Sequence, residues 1–168
     1  MQRTFVLVLL ATALVTSGSH AAARRPAHHP PTAAATPSGV TPEWVAGVLR
    51  DKGYKAVIGV DNDGDPKVTS AADGTKFTIF FYGCNGTRRC QSLTFQAGFD
   101  LDDGMSVTKV NAWNKDKRFL KAWLDEENDP FVEMDIDVEH GATSASLADY
   151  VDTWASILPN FKRYIGFD

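Results

Sequence analysis

Apolar residues recur at two spacings along the chain, and the longer spacing predicts helices. Apolar side chains three and four residues apart form one stripe on each of three segments, which predicts helices over residues 41–53, about 106–117 and 147–164. Thr41 precedes Pro42 and an acidic residue, as at a capped helix start. A Ser at position 106 suggests a second cap of the same kind.

Short segments rich in apolar residues and bounded by turn residues, several of them alternating apolar and polar positions, predict strands between these helices. Six such segments occur in the order YKAVIGV, KVTS, KFTIFFYG, QSLTFQAGF, RFLKAWLD and PFVEMDIDVE, with turn sequences such as DNDGDP and EENDP between them. Strands joined by short turns pair antiparallel. The pattern therefore predicts an α+β fold, an antiparallel sheet of two meander or hairpin units with helices before, between and after them.

The only two cysteines, Cys84 and Cys90, flank the short loop between the third and fourth segments. Matching the apolar faces of these strands sets Phe81 opposite Leu93, and the same register brings the cysteines opposite each other. Opposed residues have Cα atoms about 4.5 to 5.5 Å apart, which is within disulfide range. A zinc clip needs further ligands, where the domain offers only His140, and a redox pair needs Cys-x-x-Cys. We therefore predict a structural disulfide.

The last strand, PFVEMDIDVE, places apolar residues on one face and carboxylates on the other. One interpretation is a solvated outer face, since such faces of antiparallel sheets are normally polar. The other is a partner-binding ridge, because like charges along a strand cost stability. The candidate ridge, with an aromatic residue at its edge, consists of Trp123, Glu133, Asp135, Asp137 and Glu139.

The register of this strand with RFLKAWLD is predicted by matching their apolar faces. That match sets Leu124 opposite Val132. It puts Trp123 beside Glu133 and Lys121 beside the next carboxylate of the ridge.

The first 40 residues differ in composition from the rest. Residues 1–23 combine Arg3, an apolar run and small residues, which is typical of a secretory signal peptide, and the run is shorter than the roughly 20 residues of a membrane span. Residues 24–40 are rich in Pro and Ala, as in a disordered linker, and residues 41–168 form the domain. We expect export to the periplasm or medium, with no membrane span in the mature chain.

The domain's charge bears on its partners. Residues 41–168 contain 14 Lys and Arg against 21 Asp and Glu, a formal charge of −7. Nucleic acid is therefore an unsuitable partner, whereas a basic protein, a basic peptide or a cation suits this balance. The acidic segment DNDGDP has Asp at alternate positions, as in a calcium loop, but it lacks that motif's later Gly and Glu, which favours a plain hairpin turn.

No catalytic pattern stands out in the domain. It has one histidine and no serine in a nucleophile elbow, so we expect no catalytic residues, no metal site and no cofactor. A non-enzymatic domain that binds a protein or peptide is the preferred hypothesis, and a homodimer through the final helix is a further one. The alternatives are a cation-dependent envelope sensor and a carboxylate-dependent envelope hydrolase.

Several short motifs carry a family resemblance: Gly53-Tyr54, FYGC at 81–84, AGFD at 97–100, Val110-Asn111-x-Trp113-Asn114 and the hairpin from Leu124-Asp125 to Asp135. Together they resemble the YbjN-domain family, bacterial proteins described as sensory-transduction regulators. The resemblance covers residues 41–167. It implies a fold like that of type III secretion chaperones and brings no catalytic set with it.

Overall fold

The computed structural model describes residues 38–86 and 88–167, so the predicted signal peptide and most of the predicted linker lie outside it. Within these residues, no helix is both long enough and apolar enough to cross a bilayer. The elements in chain order are α1 (Pro42–Asp51), β1 (Val57–Val60), β2 (Pro66–Ala72), β3 (Thr75–Tyr82), β4 (Ser92–Gly98), α2 (Val107–Asp116), β5 (Lys121–Leu124), β6 (Pro130–Asp137) and α3 (Ser144–Ile165).

The strands form a single antiparallel sheet in the order β1-β2-β3-β4-β6-β5, which confirms the predicted α+β fold. The first four strands make a meander, and β5 with β6 makes a hairpin. It is β6, the later strand of that hairpin, that pairs with β4. The edges of the sheet are therefore β1 and β5.

One face of the sheet is covered by helix α3. Trp154 is fully buried, and its ring centroid lies 5.6 Å from that of Phe77 and 5.7 Å from that of Phe95. The apolar stripe of this helix is thus used to cover the sheet, which leaves little of it for the predicted helix-mediated dimer. The buried residues of the stripe are Leu147, Val151, Trp154, Leu158, Phe161 and Ile165.

The predicted register of β3 and β4 is confirmed, with Phe81 opposite Leu93. Cys84 and Cys90 form a disulfide, as predicted. Their Cα atoms are 3.9 Å apart, closer than expected from a regular ladder. The reason is that the pair lies beyond the last ladder residue, Tyr82, in the turn that closes the hairpin.

The predicted register of β5 and β6 is wrong by two residues. Leu124 lies opposite Pro130, where the prediction placed Val132. The turn is tighter than expected because Asp125 pairs with Asp129: the Asp125 amide donates to the Asp129 carbonyl at 3.1 Å, and the Asp125 carboxylate accepts from the Asp129 amide at 2.8 Å. A slip of two residues leaves the same side chains on each face.

The acidic segment DNDGDP is the hairpin turn between β1 and β2, as the turn interpretation predicted. The carboxylate of Asp61 accepts the amides of Asp63 at 3.0 Å and Asp65 at 2.9 Å. The Oδ1 atom of Asp61 thus accepts both of the hydrogen bonds that fix the turn. Among the described residues, no group of three or more His, Cys, Asp or Glu side chains is arranged to hold a metal ion.

Residues 38–40, at the end of the range assigned to the linker, pair with the domain. Val40 is buried and forms a β-bridge with Cys90. The amide of Gly39 donates to the carbonyl of Glu139 at 2.9 Å. A Cβ atom on Gly39 would meet the Cys90 carbonyl oxygen at 2.6 Å, so only glycine permits this close approach.

Candidate functional site

The candidate site is the open face of the sheet, defined as the face opposite α3. Its side chains come from alternate positions of β2 to β6, and cross-strand neighbours form rows across the sheet. One row joins Thr78, Gln96, Glu133 and Lys121, because β3, β4, β6 and β5 are adjacent in this order. The sheet topology, more than any single strand, therefore creates the site.

Lys121 bridges two of the predicted ridge carboxylates. Its ammonium lies 2.7 Å from Glu133 Oε1 and 3.0 Å from Asp135 Oδ2. The hydrogen bond to Glu133, followed by that to Asp135, raises the pKa of Lys121 above its ordinary value. Two of the ridge carboxylates are therefore joined in an ion-pair network on an exposed sheet face, where the sequence predicted Lys121 beside Asp135 alone.

Glu133 is the centre of this network. Its Oε2 accepts from the indole N–H of Trp123 at 3.1 Å and from the side-chain amide of Gln96 at 3.2 Å, while Oε1 faces Lys121. Only 13% of the Glu133 side chain is exposed. Both carboxylate oxygens are thus occupied, and Glu133 acts as the fixed point that orients its three neighbours.

Asp135 is held by a neutral donor and a cation. The hydroxyl of Thr94 donates to its Oδ1 at 2.6 Å, and Lys121 donates to Oδ2. Partial burial acts to raise the pKa of Asp135, but the hydrogen bonds from Thr94 and Lys121 and the Lys121 charge outweigh it, so the pKa lies below its ordinary value. Asp135 is therefore an anion at neutral pH.

An aromatic platform adjoins the network at the β5 side, and we define it as Trp123 stacked on Phe131. The ring centroids are 4.4 Å apart and the planes differ by 12°. The Phe131 ring lies directly over Gly98, where an added Cβ would meet the ring at 2.5 Å. Trp123 nevertheless keeps 36% of its surface exposed. The platform thus presents a fixed, accessible indole to solvent.

Tyr82 presents a second exposed aromatic ring at the β3 end of the open face. Burial, followed by the negative charges of Glu133, Asp135 and the β1–β2 turn, raises the pKa of Tyr82 above its ordinary value. The phenol is therefore neutral at physiological pH and is available as a hydrogen-bond donor.

The last two predicted ridge residues lie outside the network. Asp137 is exposed at the end of β6, and its Oδ1 accepts the amide of Glu139 at 2.8 Å. Glu139 follows the strand, so alternation no longer determines its face; its carboxylate lies 3.5 Å from Gln91 Nε2. The structure thus joins Trp123 to Glu133 directly and Glu133 to Asp135 through Lys121, and it places Asp137 and Glu139 at the end of β6 and beyond it.

Several residues of the site were not found from the sequence. Thr94 and Gln96 were overlooked because the pairing of β4 with β6 joins segments separated by a helix and another strand. Phe131 could have been found, since it occupies the same alternation phase as Glu133 and Asp135. An aromatic residue in a polar phase is a usable signal of an exposed surface with a role.

The shape of the site favours a surface ligand. The cavity beside the platform, of about 290 Å³, is open to solvent and is lined by Gly98, Phe99, Asp100, Asp125, Asp129 and Phe131. Small-molecule sites are usually enclosed and largely apolar. Here Glu133 and Asp135, bridged by Lys121, adjoin a fixed indole, an arrangement that attracts cationic groups and stacks on them.

Comparison with known families identifies one by its family model. The family model YbjN, described as "Putative bacterial sensory transduction regulator", matches residues 41–167, which is most of the chain. No curated protein matches the sequence.

Proposed function

The chain belongs to the YbjN family, and from this premise we propose that it is a non-enzymatic regulator that binds a protein partner. The open face binds a basic, extended segment of that partner. The family description supports a regulatory role in general terms. The observation that supports the binding mode is Trp123, held by Phe131 and Glu133 yet more than a third exposed. An immobilised aromatic side chain contributes contact area at low entropic cost.

The charge along β6 supports a basic partner. Glu133, Asp135, Asp137 and Glu139 outnumber Lys121 there, whereas the other two lysines of the open face, Lys67 and Lys76, lie on β2 and β3. Complementary charge speeds association and disfavours acidic competitors more than it adds affinity. A segment with Lys or Arg at alternate positions matches the spacing of the carboxylates along β6. Cationic side chains also stack on an indole, which suits the position of Trp123 beside the network.

The disulfide supports a location outside the cytoplasm. Cys84 and Cys90 are bonded, and such bonds persist mainly in oxidising compartments. We therefore propose export to the periplasm or medium. The hydrolase and cation-sensor alternatives have no supporting observation on the open face, where the carboxylate Asp135 has a lowered pKa, the opposite of what a general acid needs.

Site-specific photocrosslinking in the producing cells tests the binding proposal. A photoreactive residue is placed at Tyr82 on the open face, or at Ser156 on the exposed side of α3 as the control position. We expect an adduct from position 82 only, and mass spectrometry should show a crosslinked peptide rich in Lys and Arg. Adducts from position 156 alone, or a crosslinked peptide without basic residues, contradict the proposal.

A matched pair of charge variants identifies the face. Asp135→Asn with Asp137→Asn removes two charges from the open face, and Asp51→Asn with Asp149→Asn removes two exposed charges elsewhere. We expect the first pair to reduce the adduct by about tenfold, equivalent to about 1.4 kcal/mol, and the second to leave it unchanged. Equal loss in both would show that net charge alone determines the interaction.

A further inference from the structure

Strand β1 forms one edge of the sheet and exposes apolar side chains. It pairs with β2 on one side, and no strand of the described residues pairs with its other side. Val57 is 66% exposed and Val60 is 56% exposed, and Ile58 is also exposed. An unpaired strand edge with apolar side chains is a template for a further strand.

The opposite edge of the sheet, strand β5, is closed by a side chain, so the two edges of the sheet differ. The side chain of Asn114, on α2, accepts from the Ala122 amide at 2.8 Å and donates to the Ala122 carbonyl at 3.0 Å. These two backbone groups of β5 are thus satisfied as they would be by a neighbouring strand. Among residues 38–86 and 88–167, strand β1 has no comparable protection, since its sequence VIGV contains no charge and no proline.

We propose that β1 pairs with β1 of a second copy of this chain, antiparallel and about a two-fold axis. The charges that flank the strand are the reason for choosing a second copy as its partner. Lys55, which is exposed, precedes β1, and the turn containing Asp61, Asp63 and Asp65 follows it. Antiparallel pairing places the lysine of each copy beside the acidic turn of the other, whereas parallel pairing places like charges together.

The apolar side chains select a register for this pairing. A two-fold axis at Gly59 sets Ile58 of each copy opposite Val60 of the other, so two such pairs form. Directly opposed residues share a face, so four branched side chains meet on one side of the joined strands. Gly59 at the axis presents no side chain, and an added Cβ there would have no heavy atom nearer than 4.0 Å, so the position is open.

Sedimentation equilibrium of the full chain tests this proposal. The paired edge is short, so we expect a reversible dimer with a Kd of about 1 to 100 µM. Val60→Lys should raise that Kd at least tenfold. Val107→Lys, the same change at a residue 63% exposed at the start of α2, should leave it unchanged. A monomer at concentrations about tenfold above this range, or a dimer indifferent to Val60→Lys, overturns the proposal.

A charge exchange tests the antiparallel arrangement. Lys55→Glu should weaken the dimer, because each introduced carboxylate meets the acidic turn of the other copy. Adding Asp63→Lys in the same chain should restore it, because the two charges are then exchanged at both ends. Failure of the second change to restore a dimer weakened by the first would rule out this arrangement. Neither position lies on the open face, so the result is independent of the proposed partner binding.

Discussion

The carboxamide of Asn114 occupies both backbone hydrogen-bonding groups of Ala122, at 2.8 and 3.0 Å. A side chain on α2 thus takes the place of a strand at the outer edge of β5. The contact also fixes the helix to the hairpin that carries Trp123 and Lys121. A helix residue eight positions before Ala122 is therefore part of the support of the open face.

Replacing Asn114 tests this edge closure. Asn114→Ala should lower the free energy of unfolding by about 1 to 2 kcal/mol, because two hydrogen bonds to Ala122 are lost while the freed backbone groups are partly hydrated. Asn111→Ala removes the same side chain from an exposed position of the same helix and should have little effect. Urea denaturation measures both. Equal stability of the two variants would mean that the contact is not maintained in solution.

Gly98→Ala should disturb the aromatic platform. The new methyl group would overlap the Phe131 ring, so that ring must move and Trp123 loses its stacking partner. We expect a cost of about 1 to 3 kcal/mol, as for other overpacked positions, and a change in the iodide quenching of Trp123, read against a Trp123→Phe reference. Gly47→Ala in α1 is the control and should be neutral or stabilising, because an added Cβ there would meet no atom of another part of the fold within 4 Å. Unchanged quenching in Gly98→Ala would contradict the described stacking.

Asp135 should make the free energy of unfolding depend on pH in the acid range. Its pKa is lower in the folded state than the ordinary value of 3.8, so its contribution is present above that value and is lost as the pH falls through the folded-state pKa. Asp135→Asn should therefore be less stable than wild type at neutral pH, by less than about 1 kcal/mol because the group is half exposed. The difference should vanish once the pH falls below the folded-state pKa of Asp135. Urea midpoints across this range measure it, and a difference that persists in acid would point to packing instead.

The disulfide should stabilise the fold modestly. The two cysteines are six positions apart, and closing so short a loop contributes about 2 to 2.5 kcal/mol in the chain-entropy model. Cys84→Ala with Cys90→Ala should lose about that amount, and reduction of the wild type should give a similar loss. Thiol counting in the unreduced, denatured protein should find no reactive thiol. Two reactive thiols would contradict the bond.

The sequence predicted one hairpin register correctly and the other incorrectly, and the difference has a physical cause. For β3 and β4, the apolar faces leave registers two residues apart open, and the cysteines choose between them. For β5 and β6 no such second constraint exists. There the choice is made by Asp125, whose backbone and carboxylate both bind Asp129 and close a tighter turn.

The contacts predicted for the ridge are present despite the wrong register of β5 and β6, and the reason is geometric. Trp123 was expected beside Glu133, and its ring instead lies opposite Phe131. Its indole N–H still reaches Glu133, because long side chains bridge diagonal neighbours on one face. The Lys121 contacts were preserved in the same way. What the sequence could not supply was the β4 side of the site, since the pairing of β4 with β6 is non-local.

Closure of β5 by Asn114 limits how far the sheet can extend. If both edges were open, each added copy would present a new edge and pairing would continue into a filament. With β5 closed, addition at β1 uses up the one open edge of each copy and stops at two. The helix contact would then determine the stoichiometry of the assembly. Opening that edge with Asn114→Ala would convert a finite pair into a chain able to polymerise.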